Sequence, residues 1–188
     1  ILVLGSATGE VAFWLAELME QGKVTGLELD QESLEIARRA AREMGLEGVV
    51  EFLPAEKQHL PMPDACFDVL VSELIVYPST IPTEIGQAEM VRVLKPGGKM
   101  ALTDVIVTKN LPDQVRRELA AIGLDYLGEG TKTDFHHRMA ETGLINVELR
   151  DLTSIVRKVW EDRYASDFAT SHQVGYSYLL DQPQVGLG

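Results

Sequence analysis

The chain has 188 residues, of which 45% are apolar and 24% charged, a balance typical of a globular protein with one sizeable core. Because 29 acidic residues outnumber 17 lysines and arginines, the formal net charge is −12, which disfavours binding to nucleic acid or to an anionic membrane surface. Cys66 is the only cysteine, so an internal disulfide and a metal site built from cysteines are both excluded. No apolar run is long enough for a membrane span and no secretory signal opens the chain, so we expect a cytoplasmic protein.

Short apolar runs alternate along the chain with stretches whose apolar residues recur at helical spacing. Strands separated by helices of about 10–15 residues form βαβ units. We therefore predict a single domain over residues 1–188, with an α/β, doubly wound, mostly parallel seven-stranded sheet and helices on both faces. The predicted strands are 1–4, 24–29, 49–53, 67–72, 99–107, 144–152 and 175–180; the predicted helices are 10–21, 31–44, 83–94, 112–121, 134–142 and 155–168, with a turn at 95–98. Trp14 and Trp160 fall on helical stripes and are expected in the core.

A glycine-containing loop, Gly5–Gly9, joins the first predicted strand to the first helix. Ligands of such sheets bind beyond the carboxyl ends of the strands, where small loop residues let a ligand approach the backbone. The alternative is that the glycines serve only the geometry of the turn. A dinucleotide fingerprint would require glycine at positions 7 and 10, which hold Ala7 and Glu10. An NAD-dependent oxidoreductase is therefore disfavoured.

An acidic residue, Glu28, ends the second predicted strand. A carboxylate at this position can accept hydrogen bonds from the ribose hydroxyls of a nucleoside. Asp30 is the competing acid, but it is better suited as the N-cap of the next helix, and a solvated strand end is the alternative for Glu28. Together with the loop, Glu28 predicts a nucleoside ligand that lacks a pyrophosphate.

Four segments in this order resemble the motifs of class I S-adenosylmethionine-dependent methyltransferases: residues 1–9, 24–29, 60–72 and 93–98. The resemblance extends to about residue 107 and is closest to the small-molecule branch that includes arsenite and ubiquinone/menaquinone methyltransferases. It implies a Rossmann-like fold, S-adenosylmethionine as cofactor, S-adenosylhomocysteine as product, and a small-molecule methyl acceptor. It also implies a helical lid segment before the first motif, which this numbering does not include.

The resemblance also implies which residues contact the cofactor. The glycine loop would pass under the methionine and ribose, Glu28 would bind the ribose hydroxyls, and the residues after the third and fourth strands would meet the adenine and the methionine. The implied set is Gly5, Ser6, Ala7, Gly9, Glu28, Leu29, Ala55, Glu56, Ser72 and Glu73. Within it, Glu56 is expected at the adenine amino group.

The first motif departs from the family pattern at two positions. The family has an acidic residue where Val3 stands and a glycine where Ala7 stands. We expect these changes to weaken cofactor binding without abolishing it. They also keep open an alternative, in which the chain is a noncatalytic binding or interaction module with the methyltransferase fold.

The acceptor site is less well defined by the sequence. Arsenite needs several thiolate ligands, which Cys66 alone cannot supply. No N-P-P-Y tetrad follows the fourth strand, which argues against amide and exocyclic-amine acceptors. No catalytic residue can be assigned; the candidates are Glu73 and Tyr77, followed by Tyr126, His136 and His137, and no metal site is expected. The sequence leaves open whether the chain forms a homo-oligomer.

Overall fold

The computed structural model describes residues 1–55, 59–73, 83–103, 105–107, 110–121, 128–158 and 185–187. Its contacts divide the chain into two compact units. The first comprises 1–75 and 80–103, and the second comprises 76–79 and 104–188. The expectation that the whole chain is one domain stays a prediction.

The first unit is built on five parallel strands: β1 (Leu2–Leu4), β2 (Val24–Glu28), β3 (Val50–Pro54), β4 (Phe67–Glu73) and β5 (Leu94–Thr103). Their order across the sheet is β3-β2-β1-β4-β5, so the strand order reverses between β1 and β4. The helices are α1 (Glu10–Leu18), α2 (Gln31–Glu43) and α3 (Thr83–Val93). Right-handed crossovers place α1 and α2 on one face of this sheet and α3 on the other. The α/β Rossmann-like fold is confirmed, although this sheet has five described strands where the sequence analysis predicted seven.

The face of the sheet that carries α1 and α2 encloses the main apolar cluster. Because side chains alternate along a strand, Val3 faces this cluster while Leu2 and Leu4 face away from it. Phe13 and Phe52 pack edge to face, with ring centroids 5.5 Å apart. The other members of the cluster are Ala12, Ala16, Val24, Leu34, Ala37, Ala41 and Val50.

The expectation of a buried Trp14 is wrong. The buried side of α1 is formed by Ala12, Phe13 and Ala16, and Trp14 is 59% exposed. The small side chains of Ala12 and Ala16 let the helix lie close to the sheet. The Phe13 ring fills the space between helix and sheet, where Trp14 was expected. Trp160 lies outside the described residues.

Of two local predictions in this unit, the helix cap is confirmed by a hydrogen bond and the turn is not. Asp30 caps α2, because its Oδ2 accepts from the Ser33 backbone N–H at 2.8 Å. Residues 95–98 were predicted as a turn, but they lie within β5, at an irregularity in its pairing with β4: the register shifts from Phe67 opposite Leu94 to Val69 opposite Lys99. Lys95 Nζ donates to Asp68 Oδ1 at 2.8 Å at this irregularity.

The second unit contains a separate three-stranded sheet. β6 (Val105–Val107) pairs in parallel with β7 (Gly128–Glu129) and antiparallel with β8 (Val185–Leu187). The predicted fifth strand, 99–107, is therefore divided between β5 and β6. Its described helices include α4 (Asp113–Ala121) and α5 (Lys132–Glu141), and α5 begins with a capping box between Thr131 and Asp134.

The predicted strand over 144–152 is wrong. These residues are irregular, Asn146 has a left-handed φ of 57°, and Ile145 is 84% exposed. A left-handed residue interrupts an extended run, and an exposed Ile145 removes the burial that the alternation implied. The predicted strand 175–180 lies outside the described residues, as does most of the predicted helix 155–168, of which 153–158 are helical. Among the described helices, none has the length and apolar character needed to cross a membrane.

Candidate functional site

The loop between β1 and α1 turns sharply because three of its five residues have left-handed backbone conformations. The φ angles are 62° at Gly5, 44° at Ala7 and 101° at Gly9. A Cβ at Gly9 would also lie 2.7 Å from the Phe13 ring and 2.8 Å from the Phe52 ring, so this position requires glycine. Ala7 adopts the same backbone region at a cost of about 1 kcal/mol.

The carboxylate of Glu28, at the end of β2, holds this loop in place. Its Oε2 accepts from the Ala7 backbone N–H at 2.7 Å, and its Oε1 accepts from the N–H groups of Leu29 at 2.8 Å and Asp30 at 2.9 Å. A carboxylate has about four acceptor positions, two on each oxygen. Oε2 therefore keeps one position that no described residue uses.

Backbone hydrogen bonds bring the other strand ends to the same edge. The Ser6 N–H donates to Leu27 O at 3.0 Å, and the Ala55 N–H donates to Glu28 O at 2.8 Å. Ser72, buried in β4, lies opposite Leu4 in the β1–β4 register. The glycine loop, Glu28, Ala55 and Ser72 thus meet at the carboxyl ends of β1 to β4, where the strand order reverses.

The loop contains a buried hydroxyl that no described group satisfies. Ser6 is 4% exposed, and its Oγ has no hydrogen-bond partner among the described residues. Gly26 lies beneath it, and a Cβ there would lie 2.8 Å from Ser6 Cβ. A buried unpaired hydroxyl costs about 1–3 kcal/mol, which a bound polar ligand would recover.

An exposed apolar side chain lies next to the Glu28 carboxylate. Leu29 is 45% exposed at the start of the β2–α2 connection. A carboxylate acceptor, an unpaired hydroxyl and an exposed leucine suit a ligand with a polar sugar and a flat apolar ring. The residues present therefore fit a nucleoside cofactor.

Several candidates from the sequence analysis cannot be located. Glu56, Tyr77 and Tyr126 lie outside the described residues; for Glu73 only the backbone is described, paired with Thr103. His136 and His137 lie on α5 in the second unit. Their catalytic roles stay predictions. Within the described ranges, no three His, Cys, Asp or Glu side chains are grouped as metal ligands.

A polar cluster on α3 was missed by the sequence analysis. Glu89 and Arg92 are one helical turn apart, Arg92 Nε donates to Glu89 Oε1 at 2.7 Å, and His59 Nδ1 lies 2.8 Å from Glu89 Oε2. The Arg92 hydrogen bonds hold the pKa of Glu89 below its usual value, and Glu89 in turn raises the pKa of Arg92. The signal in the sequence is the i,i+3 spacing of Glu and Arg on a predicted helix.

A family profile described as "Methyltransferase domain" matches residues 1–152. Methyltransferase GfsG of Streptomyces halstedii is 36% identical over 115 residues, which are 60% of this chain and 40% of that protein. An arsenite methyltransferase of Halobacterium salinarum is 31% identical over 181 residues, 96% of this chain and 44% of that protein. A demethylmenaquinone methyltransferase of Thermus thermophilus is 36% identical over 104 residues, 55% of this chain and 46% of that protein. The chain thus spans less than half the length of each of these relatives.

Solved structures share the fold at lower identity. Geranyl diphosphate C-methyltransferase from Streptomyces coelicolor, solved with Mg2+, geranyl diphosphate and S-adenosyl-L-homocysteine, has a TM-score of 0.82 at 16% identity. The alignment covers 98% of this chain and 68% of that one. The [4+2]-cyclase SpnF has a TM-score of 0.70 at 24% identity, covering 96% of this chain and 67% of that one. The fold is therefore shared by proteins that are named for different reactions.

Proposed function

Because this chain belongs to the methyltransferase-domain family, we propose that it transfers a methyl group from S-adenosylmethionine to a small organic acceptor and releases S-adenosylhomocysteine. Membership of the family confirms the identification made from the four sequence motifs. Since the chain spans less than half of each curated relative described above, the activity of the whole protein is part of the proposal.

The bond between the Ala7 N–H and Glu28 Oε2 is the observation that carries this proposal. It joins the loop after β1 to the acid after β2 at the reversal of strand order, where a nucleoside ligand of this fold would bind. The free acceptor position on Oε2 suits one ribose hydroxyl. The N–H groups of Leu29 and Asp30 already occupy both acceptor positions of Oε1. The second ribose hydroxyl would therefore bind Glu28 only by sharing one of these positions.

The remaining contacts follow from the same edge of the sheet. The glycine loop lies under the methionine and ribose, Leu29 covers one face of the adenine, and the residues after β3 and β4 close the two ends. The proposed cofactor-binding residues are Gly5, Ser6, Ala7, Gly9, Glu28, Leu29, Ala55, Glu56, Ser72 and Glu73.

The cofactor supplies an electrophilic methyl group on a positively charged sulfur. The protein holds the acceptor atom in line with that methyl group, and such positioning alone can supply several kcal/mol of the acceleration. A base is needed only when the acceptor loses a proton early in the reaction. Glu73 and Tyr77, at and after the end of β4, are our candidates for that role.

We propose an organic molecule as the acceptor, since these 188 residues by themselves do not supply the thiolate ligands that arsenite needs. One relative is named an arsenite methyltransferase. Arsenite binding needs several soft thiolate ligands, whereas Cys66 is the single cysteine of these 188 residues. Other relatives are named for demethylmenaquinone and for ubiquinone/menaquinone biosynthesis. Phenolic and quinol-type carbons are therefore the first acceptors to test.

A second candidate function is a noncatalytic binding module. It is favoured by Ala7, which strains the loop at a φ of 44° where glycine would fit freely. The [4+2]-cyclase SpnF has the same fold, although it is named for a different reaction.

Isothermal titration with S-adenosylmethionine and S-adenosylhomocysteine tests the cofactor assignment first. We expect binding of both in the micromolar range, about −8 kcal/mol. An acceptor screen that measures release of S-adenosylhomocysteine then separates an enzyme from a binding module. Absence of binding to either ligand would overturn the proposed function, while binding without turnover on any acceptor would favour the module.

A further inference from the structure

The first turn of α1 carries an acidic side chain that leans back over the glycine loop. Glu10 directly follows Gly9, and the side chains of an α-helix point toward its N-terminus. In agreement with this direction, Glu10 Oε1 accepts from Thr8 Oγ1 at 2.7 Å. The carboxylate therefore lies over the loop that leaves the carboxyl end of β1, which is the edge of the sheet proposed to bind the cofactor.

The described part of the chain does not neutralise the charge of Glu10. This side chain is exposed and forms no ion pair with a described residue. Residues 1–22 contain no lysine or arginine. The hydrogen bond from Thr8 lowers the pKa of Glu10, so the carboxyl is ionised at neutral pH. Glu10 thus places a full negative charge at the end of the glycine loop.

The proposed cofactor and its product differ in charge at one atom. In the transfer, an electron pair of the acceptor forms a bond to the methyl carbon, the carbon–sulfur pair stays on the sulfur, and the acceptor gives up a proton. The positively charged sulfur of S-adenosylmethionine thereby becomes the neutral thioether of S-adenosylhomocysteine. Both molecules keep the same ammonium and carboxylate groups, so a comparison of their affinities isolates the charge on sulfur.

We propose that Glu10 is a specificity-determining residue, whose carboxylate favours S-adenosylmethionine over S-adenosylhomocysteine. The inference rests on the proposed function, in which the glycine loop passes under the methionine and ribose. Glu10 needs no contact with the sulfur, because opposite charges attract over a Debye length, about 10 Å at about 0.1 M salt. This attraction ends when the methyl group leaves, so Glu10 favours the exchange of product for new cofactor.

The test is the ratio of the dissociation constants of S-adenosylhomocysteine and S-adenosylmethionine, measured by isothermal titration at about 0.1 M salt. In E10Q this ratio should fall about two- to fivefold, the effect of one charge in a partly hydrated site. E10K should lower it further, since it reverses the charge. At about 1 M salt, where the Debye length is about 3 Å, the wild type and E10Q should have the same ratio.

E17Q is the matched control, since Glu17 is also an exposed acid of α1. It lies two turns further along the helix, about 10 Å from Glu10 and away from the loop. E17Q should therefore leave the ratio at the wild-type value. If Glu10 served only to stabilise the N-terminus of α1, E10Q would have a lower melting temperature and an unchanged ratio.

Three results would overturn the role of Glu10 while the proposed function stands, because both ligands still bind. The first is an unchanged ratio in E10Q. The second is an equal fall in E10Q and E17Q, which would reflect the net charge of −12 on the whole chain. The third is a difference between E10Q and the wild type that salt does not reduce. A wild type that binds neither ligand would overturn both this inference and the proposed function.

Discussion

The backbone N–H of Ala7 donates to Glu28 Oε2 across 2.7 Å, although the two residues are 21 positions apart in the chain. The same carboxylate accepts from Leu29 and Asp30 at the start of the β2–α2 connection. Glu28 thus organises two loops before any ligand binds. Its substitution should change the shape of the site as well as remove a contact.

Glu28→Ala is expected to weaken S-adenosylhomocysteine binding by about tenfold to a hundredfold, the effect of losing one charge-assisted contact. Glu28→Gln should be nearly as damaging, because its amide NH2 would face N–H donors from Ala7 or from Leu29 and Asp30. Isothermal titration measures both variants.

Asp30→Ala is the matched control for Glu28, since it removes the neighbouring acid that caps α2 through Ser33. It should lower the melting temperature and leave the affinity for S-adenosylhomocysteine unchanged. Equal losses of affinity in the two alanine variants would contradict the assignment of the ribose contact to Glu28.

Ala7→Gly is expected to stabilise the protein, because Ala7 has a φ of 44°, a region that glycine occupies freely. The gain from relieved strain is about 1 kcal/mol, reduced by the greater freedom of glycine in the unfolded chain. Affinity for S-adenosylmethionine should rise as well, since the loop no longer opposes its bound conformation. Denaturant unfolding and titration measure the two effects.

Ala65 offers a control in the same protein, because it too has a left-handed φ, of 50°, in the loop before β4. Ala65→Gly should give a similar gain in stability with no change in affinity. A loss of stability in Ala7→Gly would show that the loop does not strain the alanine.

The sequence predicted the parts of the site that depend on local chemistry. Glycine at 5 and 9 and an acid at 28 are visible in the chain because a sharp strand-to-helix turn and a strand-end carboxylate have few substitutes. Asp30 was assigned correctly as a cap for the same reason. The role of Glu28 as the anchor of Ala7 depends on a contact between residues 21 positions apart, so the sequence could not show it.

Predictions that rested on apolar periodicity alone were less successful. Trp14 fits the helical stripe of α1, yet Ala12, Phe13 and Ala16 fill the space against the sheet. Residues 144–152 alternate like a strand, yet Asn146 adopts a left-handed conformation within them. Periodicity identifies an apolar face, but packing volume and backbone conformation decide whether that face is buried.

Val3→Asp restores the family's acidic residue but is expected to destabilise this protein. Val3 is 2% exposed in the cluster with Ala12 and Phe13, so a carboxylate there would lose its hydration. The cost is on the order of several kcal/mol, and burial raises the pKa of the introduced carboxyl. The loss of stability should therefore be smaller near pH 4 than near pH 8, which urea unfolding at the two pH values measures.

Val3→Thr keeps the shape of valine and adds one hydroxyl, so it separates polarity from charge. It should cost less stability than Val3→Asp and show no difference between the two pH values. Wild-type stability in Val3→Asp, together with tighter binding of S-adenosylmethionine, would instead mean that position 3 faces the ligand.

The stability of the protein at acid pH should depend on Glu89, whose pKa is lowered first by hydrogen bonds from Arg92 and then by the Leu60 N–H. A carboxyl with a lower pKa in the folded state contributes stability above the pKa of the unfolded chain, about 4.5, and loses it as pH falls through the folded pKa. Glu89→Gln should therefore be less stable than the wild type at pH 7, and the two should converge as the pH falls below about 4.5. Because other carboxylates also titrate in this range, the difference between the two proteins, measured by urea unfolding from pH 7 to pH 3, isolates the effect of Glu89. A difference that stays constant over this range would show that the ion pair with Arg92 does not stabilise the fold through the charge of Glu89.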